Sequence, residues 1–123
     1  MFFPEANVLH MGDCFFKDRF PFIDLDMGGS VNGAIAAIEA AMMIINEATT
    51  IIPGHGSLAN KEDLRRYLAM ITTTRDRVNN VSTADTKLED LDIESLTEGY
   101  DGWGDGFINS EKWIGTLFKN RQE

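Results

Sequence analysis

Apolar and polar positions along this chain change their period several times, and each change marks an element. Asn7-Val8-Leu9-His10-Met11 is a short, largely apolar run bounded by Pro4 and Gly12, which predicts a buried strand delivering Gly12-Asp13 at its end. From Gly33 to Ile45 nearly every position is apolar and Glu39 is the only charge, so the spacing predicts a helix capped by Ser30 or Asn32 that is central to the core or covered on both sides. Thr49-Thr50-Ile51-Ile52 is a run of four β-branched residues and predicts a second buried strand. Pro53 is expected to end it, because proline lacks the amide donor for a further ladder bond, and Gly54 and Gly56 then allow a sharp turn around His55.

The second half of the chain is more polar. A helix is predicted from Asn60, with Asp63 completing a short-armed capping box, Leu64, Leu68, Ile71 and Val78 as its apolar stripe, and Asn79-Asn80 as its end. Residues 82–98 are acidic, and Leu88, Leu91 and Leu96 fit only a weak amphipathic helix. The glycine-rich segment from Gly99 to Gly106 predicts a turn, after which Ser110 caps a final helix whose Trp113, Ile114, Leu117 and Phe118 form one apolar face suited to docking on the sheet.

Strand, helix and strand in this order fit a crossover joining two parallel strands, with Asp13 and His55 emerging at the same sheet edge. The expectation is an α/β domain over residues 1–123: a β-α-β-α core to about residue 80, then the acidic segment, the glycine-rich turn and the last helix. A formal charge of −9 argues against a nucleic-acid partner, since phosphate neutralisation needs clustered Lys and Arg. Cys14 is the single cysteine, which excludes an intrachain disulfide. No apolar stretch approaches the roughly 20 residues of a membrane span, and the first residues carry neither the basic region nor the apolar core of a signal peptide. The compartment is left open.

Asp13 and His55 are the main chemical candidates, because a carboxylate and a neutral imidazole both ligate Zn²⁺ and similar divalent ions. Gly-Asp at a strand end is also a common turn, and Gly-His-Gly also serves as a tight loop. His10 lies within an apolar strand and, if alternation holds, faces away from Asp13, which favours a hydrogen-bonded core residue over a ligand. Cys14 fits either a soft metal ligand or a small buried residue. The Asp101 to Gly106 turn has Asp, Asp and Gly at the first, fifth and sixth positions of a calcium loop, but Trp103 at the third and Lys112 at the twelfth do not suit one.

The segment from Asn7 to Phe16, followed by a helix and then Ile51-Ile52-Pro53-Gly54-His55-Gly56, resembles the C-terminal half of metallo-β-lactamase-fold hydrolases. The similarity extends over about residues 2–72, and Gly102-Trp103-Gly104 with the helix after it looks like the tail of one bacterial branch. The resemblance implies half of an αββα sandwich, a mixed sheet covered by helices on one face, holding one or two zinc ions that activate a bridging hydroxide. Asp13 matches the carboxylate that bridges both metals, and His55 matches the histidine of the second site. Cys14, Phe15, Phe16, Phe20 and Phe22 would line a pocket for a small-molecule substrate. The family's His-x-His-x-Asp-His motif has no counterpart here, with His10 and His55 the only histidines. A homodimer or a complementing N-terminal half is therefore expected to cover the open sheet face. The alternative is a self-associating domain that keeps the fold core without hydrolase activity.

Overall fold

A computed structural model describes residues 2–21, 23, 29–55, 57–100, 102–105 and 108–120, with side chains throughout except at residues 12–14, 55 and 120. It is an α/β structure with a small mixed sheet and four helices. The sheet comprises β1 (Phe2–Phe3), β2 (Val8–Phe16) and β3 (Thr50–His55), in that spatial order. β1 runs antiparallel to β2, and β2 runs parallel to β3. The helices are α1 (Val31–Ile44), α2 (Lys61–Val81), α3 (Ile93–Leu96) and α4 (Ser110–Asn120), with 3₁₀ turns at Leu88–Asp90 and Trp103–Asp105.

Pairing assigns the two faces of the sheet. Phe2, Leu9 and Ile51 stand in one row, and Leu9 and Ile51 are buried in the core shared with Ile35, Ile38 and Leu64. Helices α1 and α2 pack on each other and on β2 over that face. The opposite face carries Phe3, Val8, Thr50, His10 and Ile52, none of which is buried. His10 is thus exposed, not a core residue. It lies on the sheet face whose described residues are not buried.

Both strands extend further than the sequence pattern suggests. Chain continues as β2 through Gly12-Asp13 to Phe16, and β3 does not stop at Pro53 but reaches His55. The reason lies in which way Pro53 faces. Ile51 N–H donates to the Ala59 carbonyl at 2.8 Å and Ala59 N–H donates back at 2.9 Å, so the peptide groups of Ile51 point away from β2. Thr50 N–H, one residue earlier, points inward and donates to the Asn7 carbonyl at 3.0 Å. Pro53 shares the outward phase of Ile51, and its missing donor therefore removes nothing from the β2–β3 ladder. The same Ala59 bridge also blocks part of the outer edge of β3.

A polar clasp fixes the other end of β3. Buried Thr49 donates from Oγ1 to Asn7 Oδ1 at 2.7 Å, and Asn7 Nδ2 donates to Asn46 Oδ1 at 3.1 Å. Asn7 has φ of 54°, a conformation in which asparagine is among the better tolerated residues.

Helix α1 begins after Ser30, whose hydroxyl accepts from Gly33 N–H. Its Val31, Ile35 and Ile38 are buried, but Ala36, Ala37, Ala40, Met43 and Ile44 face outward and Met43 is 86% exposed. Only one side is covered, whereas the all-round apolar pattern suggests burial on both. Helix α2 has the expected capping box between Asn60 and Asp63 and runs one residue past Asn80 to Val81. The last helix is capped by Asn109 instead of Ser110, since Asn109 Oδ1 accepts from Lys112 N–H at 2.8 Å. Its Trp113, Ile114, Leu117 and Phe118 are buried as the pattern suggests, but α4 packs on α2 and α3 and not chiefly on the sheet. Among the described residues, no helix is long and apolar enough to cross a membrane.

Candidate functional site at the strand ends

The β2–β3 register decides what meets at the carboxyl edge. His10 pairs with Ile52, Gly12 with Pro53 and Phe16 with His55. Between the first two pairs β2 advances two residues against one in β3, and between the last two it advances four against two. The irregularity falls on the Gly-Asp-Cys segment. Bulges of this kind bend a strand and re-aim its side chains, and they are over-represented beside active sites. Unbroken alternation, which would set His10 and Asp13 on opposite faces, does not survive it. Phe15 and Phe16 are adjacent and both buried, which fits a strand end covered on both sides or a break in its alternation.

The backbone thus brings Asp13 and His55 to the same end of two adjacent parallel strands. Helix α1 spans the crossover between them. Cys14 follows Asp13 within β2, and the side chains of all three residues lie outside the described set, as does Phe22. Phe15, Phe16 and Phe20 belong to the core: Phe15 meets the Tyr67 ring at 4.9 Å, and Phe20 stacks on Trp113 at 6.0 Å. Asp101, first in the calcium-loop reading, is also outside the described residues. The turn after it packs tightly, with a Cβ at Gly104 placed 2.7 Å from Ser110 Oγ.

A carboxylate and an imidazole on neighbouring strand ends fit zinc in kind. Two ligands fall short of the three or four protein ligands zinc takes, and Cys14 is the neighbouring residue whose type could supply a third. Among the described side chains no three His, Cys, Asp or Glu residues are grouped so as to hold a metal ion.

Charged side chains surround the exit from this edge. Lys17, immediately after β2, reaches the turn after β3: its Nζ donates to Ser57 Oγ and to the Leu58 carbonyl, each at 3.1 Å, and lies 3.7 Å from Asp63 Oδ2. Asp18 accepts from Arg66 Nη2 at 2.6 Å, and Arg66 also lies 3.1 Å from Asp63 Oδ1. The hydrogen bond to Asp18 raises the Arg66 pKa above its already high ordinary value. A cavity of about 380 Å³ opens here, lined by Asp18, Arg66, Ala69, Gly99, Tyr100 and Trp103. A larger groove of about 730 Å³ lies around residues 93–111 and includes no residue of β2 or β3.

Sequence reasoning passes over Lys17, which stands in a run of alternating charges and aromatics. The available signal is its place directly after two buried aromatics at a strand end. A comparison with known protein families finds no matching model, and one with curated proteins finds no match.

Proposed function

We propose that this chain is the metal-ligating C-terminal half of a metallo-β-lactamase-type fold, with Asp13 and His55 as two ligands of a zinc-dependent hydrolase centre completed by residues from elsewhere. The observation that carries the reading is the parallel β2–β3 pairing, with Gly12 opposite Pro53 and Phe16 opposite His55, which sets both ligand types at one sheet edge beside a bulge. Zinc, when bound there, supplies Lewis-acid activation of water toward a small-molecule substrate. The protein's own part is to hold the ligands, and the mixed sheet with helices on one face leaves the other free for the completing half. Zinc analysis of protein purified without chelator tests this. The expected result is bound zinc that is lost in the Asp13→Ala, His55→Ala double variant; equal zinc in that variant overturns the assignment.

A second reading, a self-associating domain without hydrolase activity, draws on the unburied positions Phe3, Val8 and Thr50 in one row and His10 and Ile52 in the next. Such a face favours burial against another sheet. Hydrolysis assays with a complementing half supplied separate the two, since only the first predicts activity then.

A further inference from the structure

We infer that the cavity between α2 and the segment carrying Tyr100 and Trp103 is a binding site for a small zwitterion with an aromatic body, an aromatic α-amino acid. Asp18, Arg66, Ala69, Gly99, Tyr100 and Trp103 line its volume of about 380 Å³, a size within the range of small-molecule sites. None of the six belongs to β2 or β3, so the cavity stands apart from the strand ends and from any metal. One wall is aromatic and is held before any ligand arrives. Tyr100 and Trp103 meet edge to face at 5.6 Å. Arg77 lies over the Tyr100 ring at 5.7 Å and anchors the chain before it, donating from Nη1 to the Leu96 and Glu98 carbonyls. Phe20 N–H donates to the Trp103 carbonyl at 2.9 Å, and the rings of these two residues lie 6.4 Å apart. Tyr100 and Trp103 are nonetheless only half-buried, and a Cβ at Gly99 would meet nothing within 4 Å, so this wall borders open space.

The other wall is an ion pair in balanced surroundings. Arg66 Nη2 donates to Asp18 Oδ1 at 2.6 Å and lies 3.1 Å from Asp63 Oδ1, while Asp63 Oδ2 is 3.7 Å from Lys17 Nζ. Two cations thus meet two carboxylates, and a ligand with net charge of either sign would upset that balance. Among the described residues, Arg66 Nε and Nη1 and Asp18 Oδ2 make no hydrogen bond, which leaves donors for a carboxylate and an acceptor for an ammonium. Asp18 also holds φ of 54°, an uncommon backbone state of the kind that recurs at ligand clamps. An α-amino acid carries the matching ammonium and carboxylate on one carbon, and an aromatic side chain adds a ring to pack on Tyr100 and Trp103.

The test titrates L-phenylalanine into isotope-labelled protein and follows the two indole N–H resonances of the chain by NMR. Trp113 Nε1–H is hydrogen-bonded inside the core and reports folding, whereas Trp103 reports the cavity. Expected is saturable movement of the Trp103 resonance with a Kd of about 1 mM or tighter. Phenethylamine, which lacks the carboxylate, and hydrocinnamate, which lacks the ammonium, are each expected to bind about tenfold more weakly. Arg66→Met is expected to weaken L-phenylalanine by the same factor and leave phenethylamine no weaker. Asp18→Asn, which suits the same backbone state, is expected to weaken L-phenylalanine and leave hydrocinnamate no weaker. Ala69→Phe puts a ring into the cavity from an exposed helix position and is expected to abolish binding with the Trp113 resonance in place. Absence of saturation, equal binding of all three ligands, or undiminished binding by Ala69→Phe overturns the site. A uniform loss for every ligand in Arg66→Met and Asp18→Asn shows that the pair is structural only and overturns it as well.

Discussion

Trp113 Nε1 donates a 3.1 Å hydrogen bond to Thr74 Oγ1, joining α4 to α2 between two fully buried side chains. Thr74 Oγ1 in turn donates to the Met70 carbonyl at 2.7 Å, so one hydroxyl serves as donor and acceptor in a dry core. Thr74→Val keeps the shape and leaves the indole N–H without its acceptor. The expected loss is about 1–3 kcal/mol, read by urea denaturation, and Thr74→Ser is expected to recover most of it.

The start of α2 offers an independent check. Asn60 Oδ1 accepts from Asp63 N–H at 2.9 Å and Asp63 Oδ2 accepts from Asn60 N–H at 3.1 Å, satisfying two amides that the helix leaves open. Asn60→Ala is expected to cost about 1 kcal/mol. Asn60→Ser, which keeps a capping oxygen, is expected to cost less in the same thermal melt.

Gly104 is tightly packed in the turn that leads into α4. A Cβ there would lie 2.7 Å from Ser110 Oγ and 2.9 Å from the Ser110 backbone nitrogen. The hydroxyl can rotate away, but the backbone nitrogen cannot. Gly104→Ala is therefore expected to destabilise by about 1–3 kcal/mol, whereas at Gly115, whose nearest such neighbour is a Leu88 methyl at 3.8 Å, alanine is expected to be tolerated. Parallel denaturation of the two variants checks the contrast.

The Arg66–Asp18 pair carries a pH prediction. The Arg66 pKa is raised, chiefly by the hydrogen bond to Asp18, so the stability it contributes is fully present below the unfolded-state value and is lost only as pH rises past it. That window lies above neutral pH altogether. Arg66→Met is therefore expected to change stability by the same small amount at about pH 6 and about pH 9, measured as the difference in denaturation midpoint from wild type.

What the sequence made legible depended on whether a local rule was also the tertiary one. The cap at Asn60 and the apolar face of α4 follow from neighbours three and four residues away, and both are found. Pro53 shows the opposite case: proline stops a strand only when its missing donor faces a ladder, and nothing local reveals that it shares the outward phase of Ile51. The apolar pattern of α1 likewise cannot tell a covered face from an uncovered one. At the candidate site, parallel pairing of the two strands that carry Asp13 and His55 was readable from strand-helix-strand order, but the bulge in β2 and the reach of Lys17 to Ser57 join residues about forty positions apart. Such relations require the register, which no single segment contains.

The uncovered sheet face sets the last prediction. Phe3, Val8 and Thr50 form one row across all three strands, with His10 and Ile52 in the next. Phe3 is 47% exposed, while Leu9 and Ile51 directly on the reverse face are buried. Two copies stacking these faces would bury both rows against each other, as packed sheets do, and would approximate the two-sheet sandwich that the resemblance implies. The row is also free of acidic residues, so a chain with a charge of −9 meets its twin there with least repulsion. Sedimentation at micromolar concentration is expected to show a dimer, and Ile52→Glu is expected to give a folded monomer, since a carboxylate buried between two sheets would lack a partner. Wild-type protein sedimenting as a well-folded monomer would sink the dimer and leave a complementing half as the cover for this face.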